Sequence, residues 1–255
     1  MKKLYEPRAS ARIFGVRVDV GSLKATAEAL HVHAQYAGGI VCVANVDMVT
    51  RAVNDPALKS VMTQALVVVS DGMPLVWQLR AKGHRTAERV CGPDLMFALC
   101  ALAEGQGTSV FFFGGSAQEL ELMLGKLKQR FPRLKVAGAV SPPMLPAAPP
   151  LDHDTIERMN GSDARLVFVG LGCPKQEFWM SVHAPHLKAV TIGVGYAFAL
   201  AAGLQPKAPG WMQGLGLEWL FRLYQEPSRL WRRYLLGNSR YVWYSLLSLF
   251  GWRRG

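Results

Sequence analysis

The stretch ALVVVSDGMPLVWQLR, residues 65–80, joins an apolar run of strand character to a run of helical character, with Asp71 at the junction. Consecutive valines without polar alternation predict a strand buried on both faces, which is typical of parallel sheets covered by helices. In open α/β sheets, ligands bind outside the carboxyl ends of the strands. Asp71 is therefore either the N-cap of the following helix or a reacting group, and local sequence leaves both interpretations open.

The same alternation of apolar strands and helices recurs along the chain. It predicts strands at residues 13–20, 40–45, 65–70, 109–113, 134–140, 164–170 and 189–194. It predicts helices at residues 22–36, 73–82, 93–104, 117–130, 154–160 and 175–183. This order indicates an α/β fold in which a mostly parallel sheet is covered by helices.

Charge and aromatic residues concentrate at the C-terminal end. The 255-residue chain has a net charge of +11, which favours an anionic partner: a phosphorylated ligand, an anionic membrane surface or nucleic acid. Residues 204–255, which we call the tail, hold eight basic residues, two acidic residues and five of the seven tryptophans. We therefore divide the chain into a core, residues 1–203, and a basic, aromatic appendage, residues 204–255.

The cysteines and the N-terminus bear on the compartment. Cys42, Cys91, Cys100 and Cys173 are far apart and form no CxxC pair, which favours free thiols in a reducing cytoplasm. The N-terminal stretch lacks the apolar segment and small-residue cleavage site of a signal peptide. No uninterrupted apolar run reaches the roughly 20 residues that a membrane-spanning helix needs.

Polar residues and glycines follow the predicted strands where each strand ends. They are Asn45, Asp71, Gly114, Gly115, Gly170, Gly172, Gly193 and Gly195. In a parallel sheet these ends share one rim, where glycines admit a phosphate and helix N-termini favour anions, so we expect a nucleotide-type ligand. The dinucleotide fingerprint and the P-loop are both absent, which argues against dehydrogenases and NTPases of those families.

Other polar side chains have structural alternatives. Arg89 either neutralises a phosphate or carboxylate or is a solvated loop arginine. Lys175 and Gln176 in GCPKQEFW either contact a sugar, base or phosphate or form the first turn of a helix. Asp152 and Asp154 have the spacing of a metal-binding pair, but they open a helix after a proline-rich loop, so we predict a helix cap and no metal site.

The tail pattern indicates a surface for an anionic partner. Pro227 splits the predicted tail helix in two, and Gly237 is expected to end the second part. Four arginines would share one helical face among Tyr, Trp and Leu: Arg222, Arg229, Arg233 and Arg240. This face suits a membrane interface with anionic lipid; an oligomer contact or nucleic-acid surface is the alternative, and no nucleic-acid-binding motif accompanies the charge.

Seven stretches, in this order, resemble the WecG/TagA/CpsF family, glycosyltransferase family 26. They are VANVDMV (43–49), SDGMPLVW (70–77), ERVCGPDL (88–95), FFFGG (111–115), GLGCPKQEFW (170–179), GVGYAFALAAG (193–203) and APGWMQGLGLEWLFRLYQEPSRLWRRYL (208–235). The resemblance implies a Rossmann-like core with a helical C-terminal appendage that promotes membrane association and completes the active site.

The resemblance also implies the reaction. The expected activity is inverting transfer of a sugar from a UDP-sugar to a polyprenyl-diphosphate-linked sugar, with a β-linkage, in synthesis of exopolysaccharide, capsule or cell-wall polymer. The expected location is the cytoplasmic face of the bacterial inner membrane, where a peripheral protein binds the anionic surface. The UDP-sugar is a co-substrate, so no cofactor is expected, and metal dependence stays open. Homo-oligomers are compatible with the family, and no nucleic-acid partner is expected.

Residue by residue, the resemblance makes Asp71 the catalytic general base. It gives substrate-binding roles to Asn45, Arg89 and Gln176. The strand-end glycines and the GCPKQEFW segment add further substrate-binding candidates, which are Gly114, Gly115, Gly172, Lys175 and Glu177. The resemblance also implies that three tail arginines bind the diphosphate, which are Arg222, Arg229 and Arg232.

Three positions depart from the family pattern. Val43 and Cys91 stand where threonine is common, and Ala199 stands where aspartate is common. The lost hydrogen-bonding groups leave the donor open between UDP-N-acetylmannosamine and UDP-glucose, and they favour UDP-glucose slightly. A rival interpretation is a catalytically silent nucleotide-sugar-binding subunit of a polysaccharide assembly complex, against which the intact Asp71 and Arg89 argue.

Overall fold

The computed structural model describes residues 9–249, apart from the side chains of Arg229, Arg233 and Leu249. The strands are β1 Ser10–Ile13, β2 Val16–Asp19, β3 Gly39–Ala44, β4 Val67–Ser70, β5 Ser109–Gly114, β6 Lys135–Val140, β7 Leu166–Gly170 and β8 Val190–Gly193. The helices are α1 Leu23–Ala34, α2 Val46–Ala52, α3 Pro56–Gln64, α4 Met73–Ala81, α5 Gly92–Gln106, α6 Ala117–Arg130, α7 His153–Gly161, α8 Lys175–His183, α9 Ala197–Ala201, α10 Gly210–Gly214, α11 Glu218–Gln225 and α12 Pro227–Leu249.

Six strands form one sheet in the order β4, β3, β8, β7, β5, β6, and every neighbouring pair is parallel. Both faces are buried: in β3, Val41 and Val43 pack in one core cluster, whereas Cys42 and Ala44 pack in another. This is why the strands read as continuous apolar runs. The predicted α/β, Rossmann-like fold with a helical C-terminal appendage is confirmed, and the carboxyl ends of these strands share one rim.

The prediction of a single strand over residues 13–20 is wrong. The chain turns at Phe14 and Gly15, which have φ angles of 50° and 82°, so β1 and β2 form a separate antiparallel hairpin. Gly15 adopts this left-handed backbone without a steric penalty. The hairpin lies beside the edge strand β4, where the Asp19 carboxylate accepts a hydrogen bond from the Val68 backbone N–H at 2.8 Å. The side chain thereby covers an edge donor of the sheet.

Two short helices that the sequence pattern did not predict follow β3. Asn45 caps α2 by accepting the Met48 N–H at 3.0 Å, and Asp55 caps α3 by accepting the Leu58 N–H at 3.0 Å. Asparagine and aspartate are favoured N-caps because their side chains satisfy donors of the first turn. The cap of α2 therefore fixes Asn45 at the rim of the sheet.

The tail folds back over the core. Pro227 begins α12, as predicted, because proline suits the first helical position. The prediction that Gly237 ends this helix is wrong: Gly237 is buried inside α12 against Asp47 of α2, and this packing outweighs the roughly 1 kcal/mol that glycine costs a helix. The Tyr241 hydroxyl also donates to the Pro74 carbonyl at 2.8 Å. Across residues 9–249, every helix is too short or too polar to cross a membrane.

Phe112 allows a test of the core. It is fully buried in β5, stacked on Phe168 at 5.4 Å and edge-on to Phe198 at 5.8 Å between ring centroids. Phe112→Ala is expected to lower the free energy of unfolding by about 3–5 kcal/mol, because it leaves a cavity that rigid neighbours cannot fill. Chemical denaturation measures this, with the exposed Leu122→Ala expected to change stability by about 0.5 kcal/mol or less. A similar loss in both variants would contradict the packing described.

Candidate active site

A polar cavity of about 300 Å³, which we call the rim cavity, lies at the carboxyl ends of the parallel strands. Its wall includes Asn45 after β3, Asp71 after β4, Gly172 after β7 and Gly195 after β8. Gly172 has a φ of +77°, a conformation that other residues rarely adopt, so the chain can bend there without a side chain filling the cavity. The structure therefore brings six of the eight predicted strand-end residues into this wall, and Gly114 and Gly115 are the two that it leaves out.

Gln176 lines the rim cavity and also forms part of the first turn of α8. It is buried, and its Oε1 accepts the Gly195 N–H at 3.1 Å. Its Nε2 donates to Glu177 Oε1 at 2.8 Å, and Glu177 lies fully buried behind it. The two interpretations of Gln176 are thus compatible, since one side chain occupies the helix start and the cavity wall.

A second cavity of about 610 Å³, which we call the tail cavity, lies between α4 and the tail helices. Its wall is rich in aromatic and apolar side chains, among them Trp77, Trp219, Tyr234, Tyr241 and Val242. The core contributes one side of this cavity and the tail contributes the other. The tail cavity therefore exists only because the tail folds back.

Among the described residues, three line both cavities: Asn45, Asp71 and Arg222. Asp71 is not the N-cap of the next helix, because α4 begins at Met73 and its N-cap is Gly72. The structure thus rules out the helix-cap interpretation of Asp71. It places this carboxylate where the two cavities meet.

Arg89 is held beside Asp71 and is not a solvated loop arginine. Its Nε donates to the Asp71 carbonyl at 2.6 Å, and its Nη2 lies 3.8 Å from Asp71 Oδ1. Nη1 donates to Gln213 Oε1 at 3.0 Å, and Nη2 donates to Glu218 Oε2. Burial opposes the charge, but the Asp71 and Glu218 carboxylates outweigh it and raise the pKa of Arg89. Arg89 therefore stays cationic.

Tyr196, Gln213 and Glu218 are site residues that the sequence prediction missed. The Tyr196 hydroxyl donates to Glu218 Oε1 at 2.6 Å, and the Arg222 guanidinium lies 3.9 Å from the centre of the Tyr196 ring. Burial, with the negative charges of Glu218 and Asp71, raises the pKa of Tyr196 well above its ordinary value, so it remains a donor. One feature of the sequence could have indicated a role for Glu218, because it is one of only two acidic residues in the basic tail.

Four other described residues that were predicted for the site line neither cavity, namely Gly114, Gly115, Lys175 and Arg232. Gly114 packs on the Gly170 backbone, and Gly115 follows it at the end of β5. The Lys175 amine donates to the Leu145 carbonyl at 2.7 Å. Arg232 is exposed on α12 with its guanidinium 5.1 Å from the Trp231 ring centre, and the side chain of Arg229 lies outside the described residues.

Two of the three departures from the family pattern line the rim cavity, namely Val43 and Ala199. The third, Cys91, is buried, and its thiol donates to Asp94 Oδ2 at 3.0 Å. All four cysteines are free thiols. The changes at residues 43 and 199 therefore make the cavity wall itself less polar.

The acidic pair at residues 152–154 opens α7 as predicted. Asp152 is the N-cap, and its side chain accepts the Thr155 N–H at 3.3 Å. Within residues 9–249, no group of three or more His, Cys, Asp or Glu side chains is placed to hold a metal ion.

Comparison with known proteins identifies the family of this chain. A family model described as "Glycosyl transferase WecG/TagA/CpsF family" matches residues 11–255. A relative from Bacillus spizizenii is named N-acetylglucosaminyldiphosphoundecaprenol N-acetyl-beta-D-mannosaminyltransferase. It is 29% identical over 210 residues, which cover 82% of this chain and 79% of the relative. The chain belongs to the WecG/TagA/CpsF glycosyl transferase family and is a glycosyltransferase.

Proposed function

We propose that this glycosyltransferase moves a sugar from a UDP-sugar to a polyprenyl-diphosphate-linked sugar, with Asp71 as the general base. The observation that carries the proposal is the position of Asp71 in the walls of both the rim cavity and the tail cavity. A transfer reaction gains from holding two substrates against one reacting group. Here a carboxylate stands where two cavities of different chemistry meet.

The rim cavity suits the nucleotide-sugar donor. It lies at strand ends, where the wall is formed by glycines and by the starts of α2 and α8. Backbone N–H groups at helix starts and glycine-rich turns bind phosphates readily. Asn45 and Gln176 add amide groups that can hydrogen-bond to a sugar or a base.

The tail cavity suits the lipid-linked acceptor, because a polyprenyl chain is apolar and the wall is largely apolar. The relative from Bacillus spizizenii is named for an acceptor that contains diphosphoundecaprenol. On α12, Trp231, Leu235 and Trp243 are exposed together with Arg232 and Arg240, which suits an anionic membrane surface. We therefore assign the protein to the cytoplasmic face of the bacterial inner membrane, as a peripheral enzyme of polysaccharide or cell-wall polymer synthesis.

The chemistry is a single displacement at the anomeric carbon. Asp71 accepts the proton of the acceptor hydroxyl while the hydroxyl oxygen bonds to that carbon. The bond to the UDP oxygen breaks on the opposite face, and UDP leaves with the electron pair. An α-linked donor thus gives a β-linkage. Negative charge grows on the leaving diphosphate, and we assign its stabilisation to Arg222, which lines both cavities.

The donor sugar has two candidates. The name of the relative favours UDP-N-acetylmannosamine. Val43 and Ala199 remove hydrogen-bonding groups from the rim cavity, which favours a donor that needs fewer polar contacts, such as UDP-glucose. Both donors serve the same reaction, so the choice concerns selectivity.

A panel assay tests the proposed function. We expect UDP release from one UDP-sugar in the panel only when a polyprenyl-diphosphate-linked N-acetylglucosamine is added, with a lipid-linked disaccharide as product. UDP-glucose, UDP-N-acetylmannosamine and UDP-N-acetylglucosamine are compared at equal concentration. UDP binding without acceptor-dependent release from any donor would contradict the transfer and favour a silent nucleotide-sugar-binding subunit.

A further inference from the structure

We infer that Glu218 is a positioning residue: this tail carboxylate holds Arg89 and Tyr196 in place beside Asp71. The inference rests on the proposed function, because it concerns the reaction assigned to Asp71. It goes beyond that function by naming the side chain through which the tail organises the core. The tail thus contributes to the reaction by orienting core residues as well as by supplying Arg222.

The two oxygens of Glu218 bind two different segments of the core. Oε1 accepts the hydroxyl of Tyr196, which follows β8, at 2.6 Å. Oε2 accepts Nη2 of Arg89, which precedes α5. The Glu218 side chain is 21% exposed, so solvent weakens these bonds little. One carboxylate at the start of α11 therefore bridges the segment that precedes α5 and the segment that follows β8.

The charge of Glu218 has a consequence for Asp71. The Arg89 guanidinium lies between the two carboxylates, with its Nη2 shared between Glu218 and Asp71 Oδ1, the latter 3.8 Å away. Without the Glu218 charge, Arg89 would pair with Asp71 alone. A closer ion pair would turn the carboxylate away from the acceptor and make it a weaker base. Glu218 thus keeps Asp71 available for proton transfer.

Glu218 also fixes the position of the Tyr196 ring, which lies against Arg222. Its bond to the Tyr196 hydroxyl fixes the ring on which the Arg222 guanidinium lies, 3.9 Å from the ring centre. A cation over an aromatic face is held by the ring quadrupole, so a displaced ring displaces the cation. A carboxylate in a basic region that faces a diphosphate would otherwise oppose substrate binding, and this orienting role accounts for its presence.

Two substitutions separate charge from size. Glu218→Gln removes the charge and keeps the shape, whereas Glu218→Asp keeps the charge on a shorter side chain. In Glu218→Gln we expect kcat to fall by roughly 10-fold to 100-fold with a smaller change in the donor KM, because the reacting groups are misplaced. Glu218→Asp is expected to recover part of this loss.

The pH profile distinguishes positioning from general damage. Asp71 is faced by Arg89 and the Cys91 thiol from the segment before α5, by Tyr196 after β8, and by Glu218 and Arg222 of α11. Removing the Glu218 charge lowers the pKa of the base, so the acidic limb of kcat/KM should move to lower pH in Glu218→Gln. A merely loosened tail would lower the plateau without moving this limb.

Tyr244→Phe is the matched control. It removes a tail–core hydrogen bond, from Asn54 Nδ2 to the Tyr244 hydroxyl at 2.8 Å, on a different part of the tail. We expect wild-type kcat and an unshifted acidic limb. Wild-type kcat and pH profile in Glu218→Gln would overturn the inference, and so would an equal loss in Tyr244→Phe.

Amide hydrogen exchange tests the same inference without the reaction. In Glu218→Gln, α11 and residues 88–90 and 193–197 should lose protection together, while Tyr244→Phe should leave these segments protected. Unchanged exchange in Glu218→Gln would overturn the inference even if transfer is slow. If the wild type shows no transfer with any donor, the proposed function fails, and this exchange result still decides whether Glu218 organises Arg89 and Tyr196.

Discussion

Replacing Asp71 by asparagine is expected to lower acceptor-dependent sugar transfer by about 10²- to 10⁴-fold, because an amide cannot accept the proton of the attacking hydroxyl. The substitution preserves size, and the Arg89 bond to the residue 71 carbonyl does not depend on the side chain. Binding of UDP should therefore persist. The measurement is the rate of lipid-linked product formation at saturating donor, with UDP affinity measured by calorimetry in parallel.

Asp163→Asn provides the control for this change. Asp163 is an exposed residue just before β7, at the amino end of this strand and so away from the rim, and its φ of 55° is one that asparagine tolerates. Wild-type transfer is expected in this variant. Full activity in Asp71→Asn would contradict the proposed base, whereas loss of both UDP binding and transfer would show that the substitution damages the rim cavity.

Arg222→Ala is expected to lower kcat by about 10²- to 10³-fold, the usual consequence of removing a donor aimed at developing negative charge. Arg222 lines both cavities, and its guanidinium is held over Tyr196. It therefore lies near the leaving diphosphate in the proposed reaction without needing to move far. Single-turnover transfer with preloaded donor measures the chemical step separately from product release.

Substitutions of two other arginines serve as controls for Arg222→Ala. Arg158→Ala on α7, where the side chain is exposed, should leave transfer unchanged. Arg232 is exposed on α12, so Arg232→Ala should reduce turnover less than Arg222→Ala and should weaken binding to anionic vesicles by about 1 kcal/mol. An equal loss of turnover in Arg222→Ala and Arg232→Ala would contradict the placement of these side chains. It would then favour a diphosphate site built from the whole arginine face.

Most of the fold could be predicted because its signals are local. Apolar runs such as FFF at residues 111–113 mark strands buried on both faces, and α6 and α8 have the predicted bounds. The errors come from residues whose context decides their role. Gly15 makes a turn inside an apolar run, whereas Gly237 continues a helix because α2 packs against it.

The core half of the candidate site could be predicted for a related reason. Once strands are parallel, residues that follow them must meet at one rim, which brought Asn45, Asp71 and Gln176 into one cavity wall. The tail half could not. Gln213 and Glu218 do not follow a strand in the sequence, so no strand-end pattern indicates them. Lys175 is next to Gln176 in the sequence, but its side chain donates to the Leu145 carbonyl.

The α/β order, the rim and the family follow from periodicity, turn residues and short motifs along the chain, so the amino-acid order was enough to predict them. The position of the tail across the rim, the second cavity that it closes and the exclusion of Asp71 from the helix cap became visible only in the folded chain. The contact between Arg89 and Glu218 joins residues 129 positions apart. Such a pair forms only when α11 and α12 pack on the core, and packing depends on the shapes of both surfaces, which no local pattern records.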